Sequence, residues 1–124
     1  MNIDRRTFIK TAGGIALASV VPFARAAGDP PPRVSFLSEP GFPPGEIALP
    51  DPAALRAAFG GCDLRFVSHK ELPSQLAAGG IDLFVNPYGS FFPKEAFPAL
   101  LGYLKSGGNW LNLGGVPCSL PVLP

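Results

Sequence analysis

Residues 79–90 read Gly-Gly-Ile-Asp-Leu-Phe-Val-Asn-Pro-Tyr-Gly-Ser, and this stretch decides the fold class. A glycine pair precedes a nearly continuous apolar run over 81–85, and a turn-forming Asn-Pro-Tyr-Gly-Ser segment follows it. A short apolar run of this kind is typical of a strand buried on both faces, as in parallel sheets covered by helices. The stretch therefore predicts a central strand of an α/β domain.

Further strands and helices alternate on both sides of this central strand. Segments rich in β-branched and aromatic residues predict strands over 33–37, 62–67 and 109–113, of which 62–67 is expected near a sheet edge. Helices are predicted over 52–59, 69–78 and 94–106. Asp51 and Pro52 begin the first helix as N-cap and first helical residue, and Ser68 is a candidate cap for the second, in which Leu72 and Leu76 face the sheet.

The third helix has the clearest periodicity. Its apolar stripe, expected to face the core, is formed by Phe97, Leu100, Leu101 and Leu104. Pro98 is incompatible with a regular helix that begins at Lys94, so we expect a loose or 3₁₀ first turn and α-helix from about Phe97.

Strands that alternate with short helices favour a parallel sheet, and the simplest arrangement is a flavodoxin-like order 2-1-3-4. A proline-rich loop over 38–50 is long enough to suggest a function. No helix follows the fourth strand, so one of its faces is expected to be bare. We interpret residues 33–124 as the N-terminal part of a larger domain, or as a domain that a partner completes.

The N-terminus resembles a twin-arginine export signal. Arg5 and Arg6 are followed by Phe8 and Lys10, and a weakly apolar segment of about ten residues comes next, roughly half of what a membrane span needs. Signal peptidase would recognise the small residues Ala24 and Ala26. We therefore expect a signal peptide over 1–26, a proline-rich linker over 27–32, and a periplasmic or secreted product without a stable membrane anchor. The implied partners are the twin-arginine translocase and signal peptidase.

Charge excludes a nucleic-acid-binding function. The formal net charge is +1, but residues 1–26 contribute four basic side chains and one acidic one. The remaining 98 residues contain six Lys or Arg and eight Asp or Glu, which gives this part a charge of −2. A basic groove for nucleic acid is therefore not expected.

Residues 82–122 are similar to the class I glutamine amidotransferase-like fold. The resemblance lies in Pro-Tyr-Gly-Ser at 87–90, a helix that ends in Gly-Gly, a strand, and Gly-Gly-Val-Pro at 114–117. It is closest to the non-catalytic versions attached to exported glycoside hydrolases, including the trimerisation domain of some β-galactosidases. The resemblance implies an accessory role beside a neighbouring domain or subunit.

Active amidotransferases have a nucleophilic cysteine in a Gly-x-Cys-x-Gly turn after this strand. Here the position two residues after Gly114 is Val116, and Cys118 lies two places later without a flanking glycine. No histidine follows it, and a thiolate needs a base or a helix dipole to lower its pKa. The chain is therefore predicted not to be catalytic. Cys62 and Cys118 are placed at opposite ends of non-adjacent strands, which also predicts no disulfide between them.

The candidate ligand-binding residues follow the carboxyl ends of the predicted strands, where open α/β sheets bind ligands: Glu39, Tyr88, Ser90, Gly114 and Gly115. In the alternative interpretation, Tyr88 packs beneath a loop and the glycines only make turns. His69 is expected on the surface of a helix, without a second metal ligand at usable spacing. Phe91, Phe92 and Trp110 are expected in the core or an interface. None of the Gly-Gly pairs has a nucleotide-binding spacing, so no cofactor is predicted.

These observations predict an exported, non-catalytic accessory domain of a carbohydrate-processing protein. Two alternatives stay open at this stage. The chain could be the N-terminal piece of a glycoside hydrolase whose catalytic residues follow it, or a fragment of a periplasmic solute-binding protein.

Overall fold

The structure is a computed structural model that describes residues 28–45 and 47–123. The predicted export signal, with Arg5, Arg6, Phe8 and Lys10 and the cleavage residues Ala24 and Ala26, lies outside the described residues. Within the described ranges, every helix is too short or too polar to cross a membrane.

The main sheet has four parallel strands, as the sequence predicts. In chain order the strands of the molecule are β1 (Arg33–Leu37), β2 (Asp63–Val67), β3 (Leu83–Asn86), β4 (Phe91–Pro93), β5 (Asn109–Asn112) and β6 (Leu120–Val122). The main sheet has the order β2-β1-β3-β5, with all neighbours parallel. The predicted order 2-1-3-4 is confirmed, with β5 as its fourth strand, and β2 is an edge strand as expected.

Three helices connect these strands: α1 (Pro52–Ala58), α2 (Leu72–Ala78) and α3 (Phe97–Lys105). A 3₁₀ turn over Lys94–Ala96 precedes α3, which confirms the effect expected of Pro98. Helix α2 begins at Leu72, three residues later than predicted, and Ser68 and Glu71 form a capping box in the turn before it. The Ser68 N–H donates to Glu71 Oε2 at 3.1 Å, and the Glu71 N–H donates to Ser68 Oγ at 3.4 Å.

The sheet separates two apolar clusters, and β3 contributes to both. Phe84 is fully buried on the face covered by α2 and α3, together with Leu72, Leu76 and Leu100. Val85 is buried on the other face beside Leu55 of α1. Because successive strand residues point to opposite faces, this alternation confirms that the central strand is covered on both sides.

The predicted apolar stripe of α3 is partly wrong. Leu100 is 1% exposed, but Phe97 and Leu101 are 41% and 40% exposed, and Tyr103 is buried in their place. The Tyr103 hydroxyl accepts the Asn109 N–H at 3.0 Å and donates to the Asn109 carbonyl at 2.9 Å. These two hydrogen bonds satisfy the buried phenol hydroxyl and fix the rotation of α3 about its axis. A prediction that places only the most apolar side chains in the core therefore misplaces the buried face of this helix.

A second, two-stranded sheet was not predicted. β4 pairs with β6 in parallel, and the Leu120 N–H donates to the Ser90 carbonyl at 3.0 Å at its start. Each strand has only three residues, which is too short to show a period-2 pattern. Each also contains a proline, which lacks a backbone N–H donor. This pairing brings the segment that ends at Leu123 beside the 3₁₀ turn.

The aromatic residues near β4 pack in the core. Phe92 is 2% exposed and contacts the rings of Phe84 and Trp110, as expected from the sequence. Trp110 packs on the α2–α3 face, and the next residue of β5, Leu111, is 41% exposed on the opposite face.

Both cysteines are free. Cys62 packs against the cluster on the α1 face, and Cys118 packs against the cluster on the α2–α3 face. The two thiols are therefore separated by the sheet.

Candidate functional site

A crevice of about 400 Å³ opens at the carboxyl ends of β1 and β2. Glu39 lies two residues after the end of β1, and His69 lies two residues after the end of β2. The opposite wall comes from the 3₁₀ turn, through Glu95, and from the end of β6. Open α/β sheets bind ligands at this edge, so the crevice is the candidate functional site.

Glu39 and His69 form a close pair inside the crevice. His69 Nδ1 lies 2.6 Å from Glu39 Oε2, and the His69 backbone N–H donates to the same oxygen at 3.2 Å. Each side chain is only 18% exposed. The hydrogen bond from the imidazole, reinforced by the backbone N–H, lowers the pKa of Glu39 below its ordinary value, although partial burial opposes this shift.

The other imidazole nitrogen faces a second carboxylate. His69 Nε2 is 3.8 Å from Glu95 Oε1, which is too far for a direct hydrogen bond. Since Nδ1 is engaged by Glu39, the neutral imidazole carries its proton there and presents a lone pair at Nε2. In the neutral state, two acceptors therefore face each other across the crevice.

The loop that carries Glu39 is fixed by Tyr88. The Glu39 N–H donates to the Tyr88 hydroxyl at 2.6 Å, and the Phe42 ring lies 5.4 Å from the Tyr88 ring and 5.8 Å from the His69 ring. A Cβ at Gly45 would lie only 2.9 Å from the Tyr88 backbone, so the loop needs glycine at this close approach. Burial, with a smaller contribution from the Glu39 carboxylate, raises the pKa of Tyr88.

Of the five predicted ligand-binding residues, Glu39 alone lines the crevice. Tyr88 is 2% exposed in the core. Ser90 Oγ accepts the Val116 N–H at 3.0 Å, which joins two loops. Gly114 and Gly115 have φ values of +75° and +59° and form a turn. This arrangement agrees with the alternative interpretation, in which Tyr88 packs beneath a loop and the glycines make turns.

The expectation for His69 is wrong. It lies in the capped turn before α2, not on a helix, and its side chain is mostly buried between two carboxylates. Its position two residues after a strand end matches that of Glu39 and was a usable signal in the sequence. Glu95 had no such signal, because its place depends on the unpredicted pairing of β4 with β6.

Cys118 does not have the environment of a nucleophile. With φ of +57°, it follows Pro117 in a turn closed by the Ser119 N–H, which donates to the Val116 carbonyl at 3.2 Å. Burial raises the pKa of the Cys118 thiol, so its thiolate fraction at neutral pH is below that of a free cysteine. Among the described residues, no group of three or more His, Cys, Asp or Glu side chains could hold a metal ion.

The Glu39–His69 pair predicts a specific pH dependence of stability. Because the folded-state pKa of Glu39 is lowered from 4.5, its contribution is fully present above about pH 4.5 and is lost as the pH falls through the folded value. Glu39→Gln is expected to lower the melting temperature at pH 7 and to flatten the fall of the melting temperature below about pH 4.5. Thermal unfolding followed by circular dichroism at closely spaced pH values measures both effects.

The matched control is His69→Asn, which keeps a hydrogen-bond donor near the position of Nδ1. In this variant the melting temperature is expected to fall more steeply with decreasing pH than it does in Glu39→Gln. An unchanged pH profile in Glu39→Gln would show that other groups cause the acid sensitivity.

No protein-family model matches this chain, and no curated protein or solved structure does either.

Proposed function

We propose that the chain is an exported, non-catalytic accessory domain of the class I glutamine amidotransferase-like kind, and that it serves a carbohydrate-processing protein. The parallel order β2-β1-β3-β5 is compatible with that fold family. The observation that carries the proposal is the turn after β5, where an amidotransferase would need its nucleophile. That position is Val116, an apolar side chain 67% exposed to solvent.

The nearby thiol does not replace the missing nucleophile. Cys118 packs against the core and its pKa is raised, whereas a catalytic cysteine needs a lowered one. His69 is engaged by Glu39 and faces Glu95, in a crevice whose lining contains no cysteine. These features support a binding or contact role for the domain.

An active-site label for amidotransferases tests the non-catalytic part of the proposal. The folded full-length chain is incubated with 6-diazo-5-oxo-L-norleucine, a glutamine analogue that alkylates nucleophilic cysteines, and its intact mass is measured. We expect no adduct, because burial raises the pKa of the Cys118 thiol and keeps it mostly protonated at neutral pH. Iodoacetamide applied after denaturation is expected to modify both cysteines, which verifies that they are reduced. One adduct per folded chain that Cys118→Ser abolishes would contradict the proposal.

Export is tested separately with the signal residues. In a bacterium with a twin-arginine translocase, the full chain is expected in the periplasm without residues 1–26. The double substitution Arg5→Lys and Arg6→Lys is expected to leave the uncleaved chain in the cytoplasm, measured by fractionation and N-terminal sequencing. Arg25→Lys is the control, because it keeps the charge and leaves the arginine pair intact. Equal export of the double variant would contradict this route.

The accessory role is supported by apolar side chains at the edge of the main sheet and beyond it. Leu111 of β5 is 41% exposed, and Val116 and Leu120 are 67% and 48% exposed. Exposed apolar side chains are available for contact with another domain or subunit. We assign these residues to the contact with the neighbouring carbohydrate-processing unit.

A further inference from the structure

We propose that the crevice bounded by Glu39, His69, Lys70 and Glu95 binds a neutral polyhydroxylated ligand about the size of one sugar ring. Two adjacent ligand hydroxyls would donate, one to His69 Nε2 and the other to the Glu95 carboxylate, in a crevice that Lys70 also lines. The inference goes beyond the proposed accessory role, and it does not depend on the export route or on the absence of amidotransferase chemistry.

The hydrogen-bonding groups select the class of ligand. His69 Nε2 and Glu95 Oε1 are two acceptors 3.8 Å apart, so a group between them must donate. Lys70, which lines the same crevice, is a donor without acceptor capacity. Two adjacent hydroxyls supply two donors, one for His69 Nε2 and one for the Glu95 carboxylate, and their oxygens can also accept from Lys70.

Charged groups fit the same positions less well. An ammonium group donates to His69 and Glu95 but has no acceptor for Lys70. A carboxylate accepts from Lys70 but meets the carboxylates of Glu39 and Glu95 and finds no donor at Nε2. A pair of adjacent neutral hydroxyls therefore has the best match with this set of side chains.

The rest of the lining is apolar. Phe42 lines the crevice near His69, and the β4–β6 sheet adds Pro93 and Val122, followed by Leu123. A sugar ring presents C–H groups on its faces and hydroxyls at its edge, so it can contact these apolar side chains while its edge reaches the polar side chains. A crevice of about 400 Å³ also lies in the size range of small-molecule sites.

The polar groups are fixed before any ligand arrives. Glu39 holds the imidazole through Nδ1 and the backbone N–H, and the buried Tyr88 hydroxyl accepts the Glu39 N–H. Rigid positioning of this kind reduces the ordering cost of binding. Glu39 and Tyr88 are thus positioning residues, whereas Glu95 and Lys70 are expected to touch the ligand.

The test is a titration of the ¹⁵N-labelled full-length chain, followed by amide chemical shifts. D-glucose, D-galactose and D-mannose are the neutral probes, and D-glucosamine and D-glucuronate are the charged counterparts, each up to about 100 mM. At least one neutral hexose is expected to cause saturable shifts at Phe42, His69, Lys70 and Glu95, with a Kd in the millimolar range, on the order of 1–10 mM. The charged probes are expected to bind more weakly than that hexose.

Two variants test the contacts without removing buried groups. Glu95→Ala and Lys70→Ala should each weaken binding about tenfold, as expected for a hydrogen bond to a charged group. Lys105→Ala and Phe97→Leu are the matched controls, because both residues are exposed on α3 and lie outside the crevice lining. Melting temperatures verify that each variant is folded.

Three results would overturn the inference. They are the absence of saturable shifts with every neutral hexose, tighter binding of glucosamine or glucuronate than of any neutral hexose, and unchanged affinity in both crevice variants. None of them changes the result of the cysteine-labelling or export experiments, so failure of this inference is distinguishable from failure of the proposed function.

Discussion

Asn86→Asp is expected to destabilise the protein by about 3 kcal/mol or more at pH 7, although the two side chains have nearly the same shape. Asn86 is fully buried, and its Nδ2 donates to Asn112 Oδ1 at 2.8 Å, to the Phe91 carbonyl at 3.1 Å and to the Gly89 carbonyl at 3.4 Å. Its Oδ1 accepts the Tyr88 N–H at 3.2 Å. A carboxylate would place an oxygen against three acceptors in a site without water-facing surface.

This substitution also has a predicted pH dependence. Burial and the facing acceptors raise the folded-state pKa of the introduced carboxyl above its unfolded value of about 3.9. The loss of stability is therefore complete above the folded pKa and becomes smaller as the pH falls toward 3.9, since the protonated acid can donate one hydrogen bond. Urea unfolding at several pH values, each compared with the wild type, measures the difference.

Asn109→Asp is the matched control for Asn86→Asp. Asn109 is exposed, and its Nδ2 makes one hydrogen bond, to the Asp82 carbonyl at 3.0 Å. Its substitution is expected to cost less than about 1 kcal/mol. Equal losses in the two variants would show that the buried network of Asn86 does not organise the turn after β3.

Gly108→Ala is expected to destabilise the protein by about 3 kcal/mol, because a Cβ at this position would overlap three carbon atoms of the Tyr103 ring. The ring cannot move away easily, since its hydroxyl is bonded to both the N–H and the carbonyl of Asn109. Gly107 is required for a different reason, its φ of +94° at the end of α3. Thermal and urea unfolding of the variant measure the effect.

Gly102→Ala is the control for Gly108→Ala. Gly102 lies within α3, and a Cβ there would meet no atom within 4 Å. Alanine is the better helix former, so this variant is expected to gain about 0.5–1 kcal/mol. In a Tyr103→Leu background, Gly108→Ala should lose much of its cost, because the overlapping ring is gone. An undiminished cost in that background would assign it to the backbone of Gly108 instead.

Asn86→Asp and Gly108→Ala both disturb contacts that the sequence pattern did not indicate. Asn86 and Gly108 were predicted only as parts of a turn and a helix end. Their importance depends on groups from other elements, Asn112 of β5 for the first and the Tyr103 ring of α3 for the second. Periodicity reports the faces of an element, but it carries no information about which group from another element meets a given atom.

The same distinction applies to the candidate site. The position of Glu39 after a strand end was predicted from the sequence, and the equivalent position of His69 was available in the same pattern. Their pairing was not predicted, although the predicted order places β1 beside β2, because it depends on how the Glu39 loop is held by the Tyr88 hydroxyl. Glu95 enters the site only because the short β4–β6 pairing places the 3₁₀ turn beside the crevice.

The sequence by itself determined the parallel α/β class, the strand order, the two covered faces of β3 and the irregular start of α3. These features follow from local propensity and from the spacing of apolar residues, which act within one element. Tertiary structure decided the rotation of α3, the second sheet and the carboxylate–imidazole–carboxylate arrangement in the crevice. Each of these depends on contacts between groups of different elements, whose partners are set only when the elements pack together.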